Sequence, residues 1–147
     1  MKDLPPKNKM LKMEGLNREF ELLEEDINFL DSLNLPWETI IIGQQRWLLI
    51  YNYTLPEGYT IDNVTVAFLV PKLYPEAALD MAYYHPPIAK KSGNKIPQSN
   101  SNQNINGKVF QRWSRHREKE NQWDPEFDSI ITHFELMNTW ITKELER

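Results

Sequence analysis

The chain contains no cysteine, and that absence removes disulfides, thiolate metal sites and thiol nucleophiles from consideration. Any covalent chemistry must use oxygen or nitrogen. Long apolar runs are missing too: the longest, residues 39–42 and 47–51, fall far short of the roughly 20 residues that a membrane-spanning helix needs. Residues 1–13 are lysine-rich, are interrupted by Pro5, Pro6 and Asn8, and hold no apolar stretch of the signal-peptide kind. They read as a flexible arm on a cytoplasmic protein with no membrane partner. Net positive charge is also lacking, since the formal charge is -4, which argues against a general nucleic-acid binder. No internal repeat is evident.

What is present suits a soluble globular protein. Of 147 residues, 40% are hydrophobic and 26% charged, a composition that can bury a core rather than remain disordered. The length suits one domain, expected over residues 14–147, and a chain of that size buries roughly two-thirds of its unfolded surface.

From Gly15 onward, Leu16, Phe20, Leu23, Ile27 and Leu30 recur at spacings of three and four. The pattern predicts a first helix of about four turns with one apolar stripe. Its other face carries Glu19, Glu21, Glu24, Glu25 and Asp26 against Arg18 alone, and Asn34 with Pro36 ends it. Three β-rich runs follow at residues 39–42, 47–53 and 64–70, separated by Gly43-Gln44-Gln45 and by a turn region holding Pro56, Gly58 and Asp62. A fourth, residues 79–84, stops at His85-Pro86-Pro87, where two prolines remove two backbone donors. The simplest arrangement is a four-stranded antiparallel meander.

Residues 89–108 are rich in Lys, Ser, Asn and Gln and predict a long irregular segment. The final stretch opens at Trp123-Asp124-Pro125, where Asp124 can cap and Pro125 suits a first helical position. It continues through Phe127, Ile130, Phe134, Met137, Ile141 and Leu145 as a second amphipathic helix. The fold class is therefore α+β, helices packing on one antiparallel sheet.

The densest chemistry lies between the sheet and that last helix. Lys108, Arg112, Arg115, Arg117 and Lys119 cluster there with Trp113 and His116, opposed only by Glu118. Ser114 and His116 are two apart, so an extended backbone would put both on one face. A serine needs such a base to attack a carbonyl. The alternative is that Trp113 anchors the segment in the core while Ser114, Arg115 and His116 form a solvated turn. A nucleic-acid groove with Trp113 stacking on a base is disfavoured by the acidic remainder of the surface. A metal site is disfavoured because His85, His116 and His133 share no ligand spacing, and no cofactor is implied. His85 reads as a residue that bonds backbone and shapes a turn.

Taken in order, Tyr74-Pro75, the Tyr-His-Pro-Pro-Ile run at 84–88, Gly107 and Trp123-Asp124-Pro125 resemble the landmarks of the ubiquitin-conjugating enzyme superfamily. In that family they are a Tyr-Pro pair, a His-Pro-Asn motif, a glycine before the catalytic cysteine, and a Trp-x-Pro opening the next helix. With residues 111–116, Asp128 and Thr132, the chain looks like a divergent prokaryotic branch, and the resemblance covers about residues 14–147. It implies partners: a ubiquitin-like protein and a ubiquitin-activating-like enzyme, with the modified target unknown.

The departures are specific. Pro87 stands where the family has an asparagine credited with stabilising the oxyanion, and the cysteine position, counted from Gly107, falls near Phe110. The acidic first helix reverses the basic character with which familiar conjugating enzymes meet their activating enzyme, so a basic partner surface is expected. Two functions follow from the resemblance. In one, Ser114 carries the ubiquitin-like C-terminus as an oxyester, with His116 as base, Arg115 or Arg112 as oxyanion or carboxyl-tail partner, and Trp113 beside them in binding. Ser92, Ser99 and Ser101 are substitute nucleophiles. In the other, the chain is a catalytically inactive relative that binds a ubiquitin-like protein or its activating enzyme.

Overall fold

Sheet-forming sequence dominates the first two-thirds of the chain, and in the computed structural model, which describes residues 16–147, it builds one antiparallel sheet of six strands. The arm expected over residues 1–13 lies outside the described residues. In chain order the elements are helix α1 (Glu24–Ser32), strands β1 (Trp37–Ile42), β2 (Gln45–Thr54), β3 (Asn63–Leu69), β4 (Ala82–His85), β5 (Ser101–Ile105) and β6 (Lys108–Trp113), a short 3-10 turn at Lys119–Asn121, and helix α2 (Ile130–Glu144). Spatially the strands run β1-β2-β3-β4-β6-β5. Neither described helix is long and apolar enough to cross a membrane.

Alternation along the strands separates two apolar layers. Leu48, Ile50, Val66, Phe68, Tyr84 and Trp113 face the helices and pack with Leu30 of α1 and Ile130, Met137 and Ile141 of α2. Trp47, Leu49, Ala67, Tyr83 and Phe110, on the opposite face of their strands, form a smaller cluster on the other side with Ile40 and Ile105.

The first four strands are antiparallel neighbours in chain order, but the four-stranded meander followed by an irregular segment is corrected. Residues 89–108 contain β5 and the start of β6, and β6 inserts between β4 and β5. The turn that makes this possible is Asn106-Gly107, with φ of 52 and 82, flanked by the Ile105–Lys108 pair. Two consecutive left-handed residues are what a tight two-residue hairpin requires, and Asn-Gly supplies them at least cost. That dipeptide was the available signal in a strand otherwise too polar to announce itself.

The first helix is shorter than its periodicity suggests. Residues 17–20 are extended: the Glu19 amide donates to the Thr39 carbonyl at 2.9 Å, the Thr39 amide to the Asn17 carbonyl at 3.0 Å, and Thr39 Oγ1 to the Phe20 carbonyl at 2.8 Å. Those long-range bonds to β1 replace helical ones, while Phe20 still reaches the core. Asp26, expected on the solvent face, is fully buried. The reason is angular: position 26 lies three after Leu23 and four before Leu30, on the same face as the apolar stripe.

The last helix also begins later than expected. Asp124 and Pro125 form a separate turn, closed by the Asp128 amide on the Asp124 carbonyl at 2.6 Å. Ser129 is the cap, its hydroxyl accepting from the Ile131 amide while Thr132 reaches back to the Ser129 amide, a reciprocal box that satisfies two orphan donors. Phe127 therefore sits outside the helix at 74% exposure.

Candidate functional site

The landmarks named in the sequence make two sets of contacts, Tyr74 and Trp123 at the start of α2 and His85 at the end of β4 beside the first residues of β6. Tyr74 packs against Trp123. Its hydroxyl donates to Asp26 Oδ2 at 2.7 Å and accepts from the Ile130 amide at 2.8 Å. One phenol thus ties α1 to the first turn of α2, and the Trp123 indole holds the Tyr74-Pro75 segment by donating to the Pro75 carbonyl at 2.9 Å. Burial and the bond to the carboxylate push the Tyr74 hydroxyl well above its ordinary pKa, so it stays a neutral donor. Burial likewise raises Asp26, more than its bond from Tyr74 lowers it.

His85 bonds backbone: its Nδ1 lies 2.8 Å from the Val109 carbonyl. The ring is tilted against Phe110 at 5.5 Å between centroids. Phe110 itself is buried in the cluster behind the sheet, so the place counted to the family's cysteine is filled by packing. Pro87, on the exposed turn, offers no amide. Gln111, which sequence reasoning missed, holds that turn instead. Its Oε1 accepts from the Ile88 amide at 2.9 Å and from the Trp113 indole at 3.0 Å, and its Nε2 donates to the Ile88 carbonyl at 3.2 Å. Only alternation on β6, which puts residue 111 on the helix-facing side with Trp113, hinted at this.

Trp113 is fully buried against Tyr84, 5.2 Å between centroids, and anchors the segment rather than presenting its indole to a partner. Arg112, paired in register with Tyr83 and Ser101, keeps its Nε buried and without a hydrogen-bond partner among the described residues. Ser114 follows directly. It is half-buried and makes its bonds through the backbone, its amide to the Gln98 carbonyl at 2.9 Å and its carbonyl from Arg115 Nη1 at 3.2 Å.

Arg115 is committed to the fold. Nη1 also donates to the Pro97 carbonyl at 2.9 Å, Nη2 meets Glu144 Oε1 at 3.3 Å, and the guanidinium lies over the Trp113 ring at 5.0 Å. Glu144 also takes Lys90 Nζ at 2.8 Å, with both side chains only 3% exposed. In so dry a site each charge needs the others. His116, by contrast, is 68% exposed and turns its Nδ1 to Asp80 Oδ2 at 3.1 Å. Asp80 precedes β4 and was not singled out by the sequence. Ser114 and His116 are thus neighbours in the chain with different partners.

His133 was named only as a histidine too isolated for a metal site. It lies buried in α2, its Nε2 2.7 Å from the Met81 carbonyl, between Phe68 and Trp140. Burial lowers it to about 4, so the ring is neutral.

Chemically, the arrangement supplies an exposed imidazole oriented by a carboxylate, a serine whose hydroxyl has no hydrogen-bond partner among the described residues, and a wall of cationic side chains beside α2. A family model described as prokaryotic E2 family E matches residues 22–144. Neither the curated proteins nor the solved structures provide a match. The family match runs from just before α1 to the end of α2 and takes in the whole sheet, and the chain belongs to the prokaryotic E2 family E.

Proposed function

We propose that this protein is a conjugating-enzyme-like component of a bacterial, cytoplasmic ubiquitin-like pathway that binds a ubiquitin-like protein or its activating enzyme without carrying the modifier covalently. The observation behind this reading is the division of labour around Ser114. The arginine beside it is held by Glu144 and Pro97, the nearby histidine is paired with Asp80, and the serine hydroxyl has no hydrogen-bonded base among the described residues. A hydroxyl without a base is a poor nucleophile at neutral pH. Glu24 and Glu25, exposed on α1, suit a basic surface on the activating enzyme.

A second reading rests on His116 itself. With Nδ1 donating to Asp80, the neutral ring carries its lone pair on Nε2, as a general base oriented by a carboxylate does. In that reading Ser114 attacks the ubiquitin-like C-terminal carbonyl held as a thioester on the activating enzyme, His116 takes the serine proton while the activating enzyme's thiolate leaves, and a target nucleophile then displaces Ser114 from the oxyester.

One mixture separates the two. The protein is incubated with its activating enzyme, ATP and the ubiquitin-like partner, and both a non-covalent complex and a thiol-resistant, hydroxylamine-labile adduct are sought. A complex without an adduct supports the binding module. An adduct lost in Ser114→Ala establishes the oxyester reading instead, and an adduct that survives in Ser114→Ala moves the nucleophile to Ser92, Ser99 or Ser101. Absence of both complex and adduct overturns the pathway assignment.

A further inference from the structure

The two edges of the sheet, β1 and β5, are finished differently. Each outer strand belongs to a hairpin with a two-residue turn, Gly43-Gln44 between β1 and β2 and Asn106-Gly107 between β5 and β6. A hydrogen-bonded pair flanks such a turn, so residues along the outer strand alternate between bonding inward and pointing amide and carbonyl outward. On β1 the outward residues are Trp37, Thr39 and Ile41, and the chain itself covers them. The Thr39 amide donates to the Asn17 carbonyl at 3.0 Å, and the Thr39 carbonyl accepts from the Glu19 amide at 2.9 Å. The Ile41 amide donates to Glu19 Oε1 at 2.7 Å, and the Trp37 carbonyl accepts from Arg18 Nη1.

On β5 the same alternation turns Asn102 and Asn104 outward, one on each side of Gln103. Their amides and the Asn102 carbonyl have no partner among the described residues, and the Asn104 carbonyl receives only the Gln103 side-chain amide, at 3.4 Å. Both asparagine side chains are exposed. Sheet edges are ordinarily blunted by a charge, a proline or a bulge. Residues 98–107 hold no charge and no proline, and the β5–β6 register runs unbroken from Ser101 to Ile105.

The side chains decide what can pair there. Ser101, Asn102, Gln103 and Asn104 give a charged peptide no counter-ion and a hydrophobic one no pocket, while Ile105 is buried in the cluster behind the sheet. What they present is amides, and stacked Asn and Gln bond best to their own kind. A second β5, run antiparallel about Gln103, sets Asn102 opposite Asn104 on both sides of the axis. Each outward amide then meets an outward carbonyl, and no like charges oppose. We propose that β5 pairs antiparallel with β5 of a second copy of this chain, joining two sheets into one across a two-fold axis at Gln103. A strand this short buries little, so the dimer belongs to the weak, transient class of interface. It depends on no residue around Ser114 and stands whether or not the protein carries a modifier.

Sedimentation velocity and amide NMR of the full chain, from about 0.02 to 1 mM, test the pairing in the range where so small an interface would assemble. The expected result is a monomer giving way to a dimer, with the Asn102 and Asn104 amides shifting as concentration rises. Asn104→Pro deletes an outward amide that β6 does not use, so the fold is kept and dimerisation weakens by about tenfold or more. Two charge variants read the register: Asn102→Lys with Asn104→Lys, and Asn102→Glu with Asn104→Glu. Each opposes like charges across the axis and stays monomeric, whereas an equimolar mixture of the two gives a dimer with one chain of each. Should Asn104→Pro fail to fold, the charge variants, on exposed side chains, decide. The pairing is overturned by a parent that is monomeric throughout, by a dimer that survives Asn104→Pro and both charge variants, or by a mixture that stays monomeric.

Discussion

Asp80 Oδ2 stands 3.1 Å from His116 Nδ1, so the histidine that sequence spacing would hand to Ser114 is oriented by a carboxylate 36 positions earlier in the chain. Among the described residues the serine's hydrogen bonds are all made by its backbone. Neither side chain belongs to the buried core, and this makes the pair unusually clean to probe.

Ser114→Ala and His116→Ala should each leave stability within about 0.5 kcal/mol of the parent, because neither removes a buried side-chain bond. If the protein binds without carrying, both variants also keep their affinity for the ubiquitin-like partner. Chemical denaturation and a pull-down with that partner check the two halves separately. A loss of several kcal/mol in Ser114→Ala would mean that its hydroxyl bonds within the fold.

Tyr74→Phe removes one oxygen and two bonds. Asp26 then loses its phenolic donor in a fully buried site, and the Ile130 amide at the first turn of α2 loses its acceptor. A cost of about 2–3 kcal/mol is expected from stranding these groups, read as a lower urea midpoint. An unchanged midpoint would show that water replaces the hydroxyl.

Glu144→Gln should be worse than its conservative shape suggests. Lys90 is 3% exposed and would be left as a buried cation without its counter-ion, a change that typically costs about 3–5 kcal/mol. Replacing both partners, as Lys90→Met with Glu144→Leu, should cost less than Glu144→Gln alone, since no charge is then stranded. Thermal melts of the three proteins test the order, and equal losses would show that packing rather than charge dominates.

Acid should destabilise the protein through His133. Its folded pKa of about 4 lies below the roughly 6.5 of an unfolded histidine, so the unfolded chain binds the proton first. The stability this provides is complete above about pH 6.5 and is lost as pH falls toward 4, in total about 3 kcal/mol. Asp26 works in the opposite sense. Burial raises its pKa, so its contribution is fully present in acid and is lost as pH rises above the ordinary aspartate value. In Asp26→Asn that offset disappears, and the fall in stability between pH 6.5 and 4.5 should be steeper than in the parent. Urea titrations at both pH values measure it. A parent that is equally stable at both, with Asp26→Asn behaving identically, would contradict both assignments.

Much of the scaffold was legible in residues alone. Ile130, Phe134, Met137 and Ile141 face the core at helical spacing, and β2 alternates between two apolar layers, because burial on one face of a regular element imposes its period on the sequence. The order of Tyr74-Pro75, His85-Pro86, Gly107 and Trp123 pointed to a prokaryotic branch of the conjugating-enzyme superfamily, and the family match agrees at that level. The β5–β6 hairpin was hidden because four of the five residues in β5 are polar, leaving only Asn106-Gly107 to mark it. Likewise, Leu16 and Phe20 fit a helical stripe, yet their backbone neighbours found partners on β1, and hydrogen bonds across the fold overrode local periodicity.

By itself, then, the sequence determined what is periodic or absolute: the apolar stripe of the last helix, the antiparallel pairing of the three strands before Pro71 and the lack of any thiol. Tertiary structure decided which polar groups meet. Asp80 with His116, Tyr74 with Asp26, and Lys90 and Arg115 with Glu144 join positions from 29 to 54 apart. Such pairings carry no repeat in the chain, since a side chain's partner is set by where the folded backbone brings it and by the cost of leaving a buried charge alone.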